Sequence, residues 1–103
     1  MKRFAFKMFL KPGYEAEYEK RHSEIWPEIV KLLKQSGVSN YSIFFDKETN
    51  ILFAVQEQGE VSSQDLGAEP IIQKWWEYMA DIMETNPDKS PVSIPLLEVF
   101  YMP

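Results

Sequence analysis

Hydrophobic residues recur at two different periods along this chain, and the places where the period changes divide it into elements. From Lys2 to Leu10 the period is two. Phe4, Phe6, Met8 and Leu10 fall on one face and Ala5, Lys7 and Phe9 on the other, as in a strand whose second face is partly covered. Pro12-Gly13 ends it. From Tyr14 to Gly37 the spacing becomes three and four: Tyr14, Tyr18, His22, Ile25, Ile29 and Leu32 or Leu33 share one side of a helix. Glu17, Lys20, Glu24, Lys31 and Lys34 form its solvated side. Pro27 interrupts this stretch, because inside a helix it removes a hydrogen bond and clashes with the preceding turn, at about 3 kcal/mol. Either the helix kinks near Ser23, or it stops and a second segment restarts with Pro27 in its first turn. Both versions leave Tyr18 and His22 on one surface. Gly37 suits the left-handed position after a helix.

Val38 to Phe45 alternates again, with Tyr41, Ile43 and Phe45 opposite Asn40, Ser42 and Phe44. Asp46 to Asn50 is turn-like, and Ile51 to Gln58 alternates with Ile51, Phe53, Val55 and Glu57 on one face, so the pair predicts a hairpin. Gly59 to Glu69 is polar, with Val61 and Leu66 as apolar anchors, and reads as a loop. Pro70 opens a second helix lined by Ile72, Trp75, Trp76, Met79 and Met83 and closed by Asn86-Pro87. Asp88 to Pro95 is a proline-restrained loop, and Leu96 to Tyr101 is the last strand.

The order strand, helix, strand, strand, helix, strand predicts an α+β, ferredoxin-like βαββαβ fold: an antiparallel four-stranded sheet with both helices on one face. Ala5, Phe9, Phe44, Leu52, Ala54, Leu97 and Val99 are assigned to the open face, which makes it too apolar for water. A homodimer through the open sheet face, as in the dimeric α/β barrel proteins, is the expected solution.

Composition narrows the function. At 103 residues the chain is expected to form a single domain, 1–103. A net charge of -5 argues against nucleic acid as a partner, since phosphate binding needs clustered Lys and Arg. No apolar run is long enough for a membrane span, and the first ten residues alternate instead of resembling a signal peptide, so a soluble, unsecreted protein is expected. With no cysteine and one histidine, thiolate chemistry and the usual zinc or iron-sulfur sites are excluded. An aromatic share of 15% exceeds what a minimal core needs, leaving ring surface for a ligand or a partner chain.

His22 is the candidate for chemistry, because imidazole alone among side chains both takes and gives protons near neutral pH. Tyr18, one turn earlier, can approach it or share a ligand with it. The alternative is a helical histidine satisfied by a carboxylate such as Glu19 or Glu24. Trp75 and Trp76 project about 100° apart, so one can fill the core while the other lines a pocket, although tryptophans at helical spacing are more often core. Tyr41 is likewise a core ring with a polar tip. Asp46, Asp81, Glu57 and Glu98 show no glycosidase pairing and fit turns or surface ion pairs. No phosphate loop, nucleophile elbow or dinucleotide fingerprint is present, which leaves proton transfer.

Five separated motifs carry a family resemblance: R-H-S-E-I-W-P-E at Arg21 to Glu28, N-Y-S-I at Asn40 to Ile43, W-W-E-Y-M at Trp75 to Met79, N-P-D-K-S-P at Asn86 to Pro91, and L-E-V-F-Y-M-P at the end. In this order they closely resemble the L-rhamnose mutarotase family, nearly end to end. The resemblance implies a cytoplasmic homodimer of ferredoxin-like fold that interconverts the α and β anomers of L-rhamnose without a cofactor or metal. It makes His22 the catalytic proton donor, and Tyr18, Tyr41, Trp75 and Trp76 the residues that contact the sugar. Gly59 to Glu69 carries no recognisable family pattern. The competing readings are a cofactorless oxygenase of the same barrel shape and a non-catalytic sugar-binding domain.

Overall fold

The structure, a computed structural model, describes residues 2–103. In chain order the elements are β1 (Lys2–Phe9), α1 (Glu15–Ser23), α2 (Pro27–Gln35), β2 (Ser39–Asp46), β3 (Ile51–Gln58), a 3-10 turn at Ser63–Asp65, α3 (Pro70–Met79) and β4 (Ile94–Leu96). The sheet runs β2-β3-β1-β4 with every neighbouring pair antiparallel, which is the ferredoxin-like order. Its inner face supplies Phe6, Met8, Leu52 and Ala54 to a core completed by Tyr18 from α1, Ile29 from α2, and Ile72, Trp75 and Met79 from α3.

Of the two solutions open at Pro27, the chain takes the break. Helix α1 stops at Ser23, Trp26 is extended (φ -63°, ψ 128°), and Pro27 is the first residue of α2. There its missing N–H costs nothing, because the first turn of a helix has no internal partner for it. The far end of α2 closes on Gly37 (φ +91°), with Gly37 N–H donating to Lys34 O and Val38 N–H to Leu33 O. That bond pair requires the left-handed backbone that glycine adopts without strain.

Three expectations are corrected. Leu52 and Ala54 face the helices and not the open side: Met8 pairs with Leu52 and Phe6 with Ala54, and directly paired residues share a face. Both are fully buried. Helix α3 ends at Met79 rather than at Asn86-Pro87. Met83 is buried, but it gets there by bridging to Leu10 from an extended segment. The last strand is Ile94–Leu96, so Leu97 and Val99 lie beyond the sheet and are highly exposed. The outer face presents Phe44, Val55, Ile94 and Leu96 to solvent, with Phe44 at 65% exposure. Among the described residues no helix is long and apolar enough to cross a membrane.

Candidate active site

A cavity of about 830 Å³ is lined by residues from both sides of the α1–α2 break, among them Ser23 and Ile29, and by all five predicted residues, Tyr18, His22, Tyr41, Trp75 and Trp76. His22 occupies the last turn of α1. Its ring stacks on Tyr18 with centroids 4.2 Å apart and meets Trp75 edge-on at 5.5 Å. Because the chain turns at Trp26, that indole packs edge-on against Trp75 at 5.1 Å and stacks on Tyr78 at 5.6 Å, so rings back the histidine on one side.

The Nδ1 of His22 lies 3.1 Å from the backbone carbonyl oxygen of Tyr18. A carbonyl can only accept, so Nδ1 carries the proton and Nε2 keeps the lone pair. This bond, and not a carboxylate from Glu19 or Glu24, satisfies the ring. Burial pushes the histidine pKa below its usual 6.5, with the Tyr18 carbonyl opposing the shift. The resting imidazole is therefore neutral at pH 7. Burial also raises the pKa of Tyr18 and, against a smaller opposing effect of Ser63, that of Tyr41, so both phenols stay protonated.

Tyr41 reaches the cavity through an irregularity in the sheet. Ser39 pairs with Glu57 and Ser42 with Val55, so β2 spends one more residue than β3 over this interval. In straight register from Ser39, Tyr41 would stand opposite Val55 on the outer face; the bulge, with Asn40 left-handed at φ +47°, keeps it on the helix side with Ile43 and Phe45. Trp75 is buried in the core while Trp76, partly buried, packs at its margin, the division that their angular separation predicts.

The segment read as a loop contributes residues that the pattern did not flag. Ser62 accepts from Gln64 N–H, and Asp65 reaches back to Ser62 N–H at 2.9 Å. This reciprocal cap presents Ser63 and Gln64 to the cavity. Its sequence signal is the Ser-x-x-Asp spacing of a capping box, here built on a 3-10 turn. Asp81 and Glu98 serve in ion pairs with Arg21 and Arg3, Asp46 closes the β2–β3 turn, and Glu57 accepts from Asn40. Among the described residues no three His, Asp or Glu side chains converge as a metal would require.

Known proteins resemble this chain over nearly its whole length. A family model described as L-rhamnose mutarotase matches residues 3–102. The L-rhamnose mutarotase of Bacteroides thetaiotaomicron is 73% identical, and that of Phocaeicola vulgatus 71%, each over 99% of both chains. The crystal structure of an L-rhamnose mutarotase from Formosa agariphila superposes with a TM-score of 0.94 at 55% identity, covering 100% of both chains. The matched range takes in nearly the whole chain, and on that coverage and identity the chain belongs to the L-rhamnose mutarotase family.

Proposed function

We propose that this protein is an L-rhamnose mutarotase that interconverts the α and β anomers by acid/base-catalysed ring opening and closure, with His22 as the proton-transfer residue. The observation that carries the reading is the neutral imidazole whose Nδ1 is engaged by Tyr18, set in a cavity walled by Tyr18, Tyr41, Trp75 and Trp76. Aromatic faces suit the apolar edge and methyl group of a 6-deoxy sugar. Phenol hydroxyls and the histidine suit its oxygens.

In the forward step, Nε2 accepts the proton of the anomeric hydroxyl, and the electron pair left on that oxygen becomes the carbonyl bond as the bond from C1 to the ring oxygen breaks. The imidazolium then returns the same proton to the ring oxygen. Rotation about C1–C2 presents the other carbonyl face, and the reverse sequence closes the ring. Proton number is conserved throughout, and no oxidant or reductant is involved. A positioned acid or base of this kind contributes about 10²- to 10⁴-fold.

Our reading places the enzyme in the cytoplasm as a homodimer joined through the outer sheet face, where Phe44 and Val55 stand exposed. The exposed tail from Leu97 to Met102 adds apolar surface that a second copy would cover.

The deciding experiment is saturation-transfer NMR or polarimetry on L-rhamnose. The parent chain is expected to equilibrate the anomers well above the solvent rate and His22→Ala to return toward that rate. Equal rates for the two chains would overturn the assignment.

A further inference from the structure

Gln56 is fully buried near the end of β3, where an amide needs partners for both of its ends. Its Oε1 accepts from the backbone N–H of Ser63 at 2.9 Å, and since a backbone N–H can only donate, the orientation of the amide is fixed. Nε2 is thereby turned toward Ser63 Oγ, to which it donates at 2.8 Å. Gln64 Nε2 donates to the same oxygen at 3.2 Å. Two N–H donors occupy both lone pairs of the serine hydroxyl, so its own proton is directed to a further acceptor, and the Tyr41 hydroxyl oxygen lies 3.5 Å away.

We propose that Ser63, held by Gln56, is a positioning residue that fixes the Tyr41 hydroxyl as a hydrogen-bond donor toward the bound sugar. The proposal rests on the mutarotase reading and deepens it. With Ser63 donating on the loop side, the phenolic proton of Tyr41 is left for the cavity that Tyr41 lines. The sugar oxygens in need of a donor are those that gain charge as the ring opens, and a donor already oriented requires no reorganisation at that moment. The segment between β3 and α3 thus acts through Tyr41, without itself having to touch the sugar.

The test compares the parent chain with Ser63→Ala, Ser63→Thr, Tyr41→Phe and the Ser63→Ala/Tyr41→Phe double variant, reading kcat/KM for anomer exchange and the thermal midpoint. Where Tyr41→Phe is too slow to time, the dissociation constant for L-rhamnose from tryptophan fluorescence takes the place of kcat/KM. Ser63→Ala is expected to lose about tenfold in the parent background, as one lost hydrogen bond would. Ser63→Thr, which keeps the hydroxyl, is expected to recover to within about twofold, and Ser63→Ala to add less than about twofold once Tyr41 is phenylalanine. A general folding defect would instead cost the same factor in both backgrounds, and that result overturns the proposal. Ser63→Cys, with similar size and only a weak donor, gives the same comparison should the alanine chain not fold. A parent chain that fails to speed anomer exchange overturns the mutarotase reading and this proposal together. An active parent with an indifferent Ser63→Ala overturns this proposal alone.

Discussion

The Nδ1 of His22 and the carbonyl oxygen of Tyr18 stand 3.1 Å apart across one helical turn, and this bond determines which imidazole nitrogen is left for a ligand. It also ties the chemistry to pH. Since burial lowers the pKa of His22 below 6.5, the neutral form that the proposed mechanism requires persists into mildly acidic solution. We expect kcat/KM to fall on the acid side with an apparent pKa below 6.5, and an acid limb centred above that value would count against the assignment. The stability linkage has the same sign. Between the lowered folded value and 6.5 the unfolded chain binds a proton that the folded chain refuses, so this site's contribution to stability is lost as pH falls through that window and is fully present above it.

The corrected face of β3 predicts a large core effect. Leu52 is 1% exposed and paired with Met8 beneath the helices, so Leu52→Ala is expected to cost about 2–5 kcal/mol in urea unfolding. A loss below about 1 kcal/mol would mean that the residue faces outward after all.

Arg21 holds the histidine's own helix to the end of α3. Its guanidinium donates to Glu17 at 2.7 Å, to the Tyr78 carbonyl at 2.8 Å and to both oxygens of Asp81 at 2.8 and 3.2 Å, and it lies 4.5 Å from the centre of the Tyr78 ring. Arg21→Met is expected to destabilise by about 1–3 kcal/mol, a fall of several degrees in the thermal midpoint, because several charged hydrogen bonds are lost together. Asp81→Asn should cost much less, since Asp81 is mostly solvent-exposed. Calorimetry showing the reverse order would refute this account.

Gly67 is constrained by Trp76. A methyl group added there would come within 2.9 Å of the indole, well inside van der Waals contact. We expect Gly67→Ala to displace the Trp76 ring, changing the tryptophan emission and raising KM for L-rhamnose severalfold while the thermal midpoint moves little. An unchanged KM would separate Trp76 from the sugar.

The outer sheet face gives a prediction about assembly. Phe44 stands 65% exposed on the outer face of the edge strand β2, and a glutamate there would set a charge against the apolar surface of a second copy. Phe44→Glu is expected to shift the chain to monomer in analytical ultracentrifugation. A parent chain that is already monomeric at micromolar concentration would rule out the proposed dimer.

The alternation in Lys2 to Leu10 and the three-and-four spacing around His22 made the strand and helix order readable, because both signals are local. The face of β3 was not readable in the same way. Ile51, Phe53 and Val55 are as apolar as Leu52 and Ala54, so the strand is hydrophobic on both sides, and only its pairing with β1 decides which side meets the helices. The end of α3 was obscured for a related reason: Met83 continues the helical spacing by coincidence, while a bridge to Leu10 holds it in extended chain.

The site divides along the same line. The sequence by itself determined that Tyr18 and His22 share a surface, that Pro27 must break or bend the chain beside them, and that Trp75 and Trp76 point in different directions, since each follows from backbone geometry within a few residues. Only the tertiary structure decided that the histidine is bonded through the Tyr18 carbonyl, that a bulge at Asn40 keeps Tyr41 on the same side, and that Ser63 and Gln56 stand behind it. These relationships join residues from separate elements through register and burial, which hydrophobic periodicity does not encode.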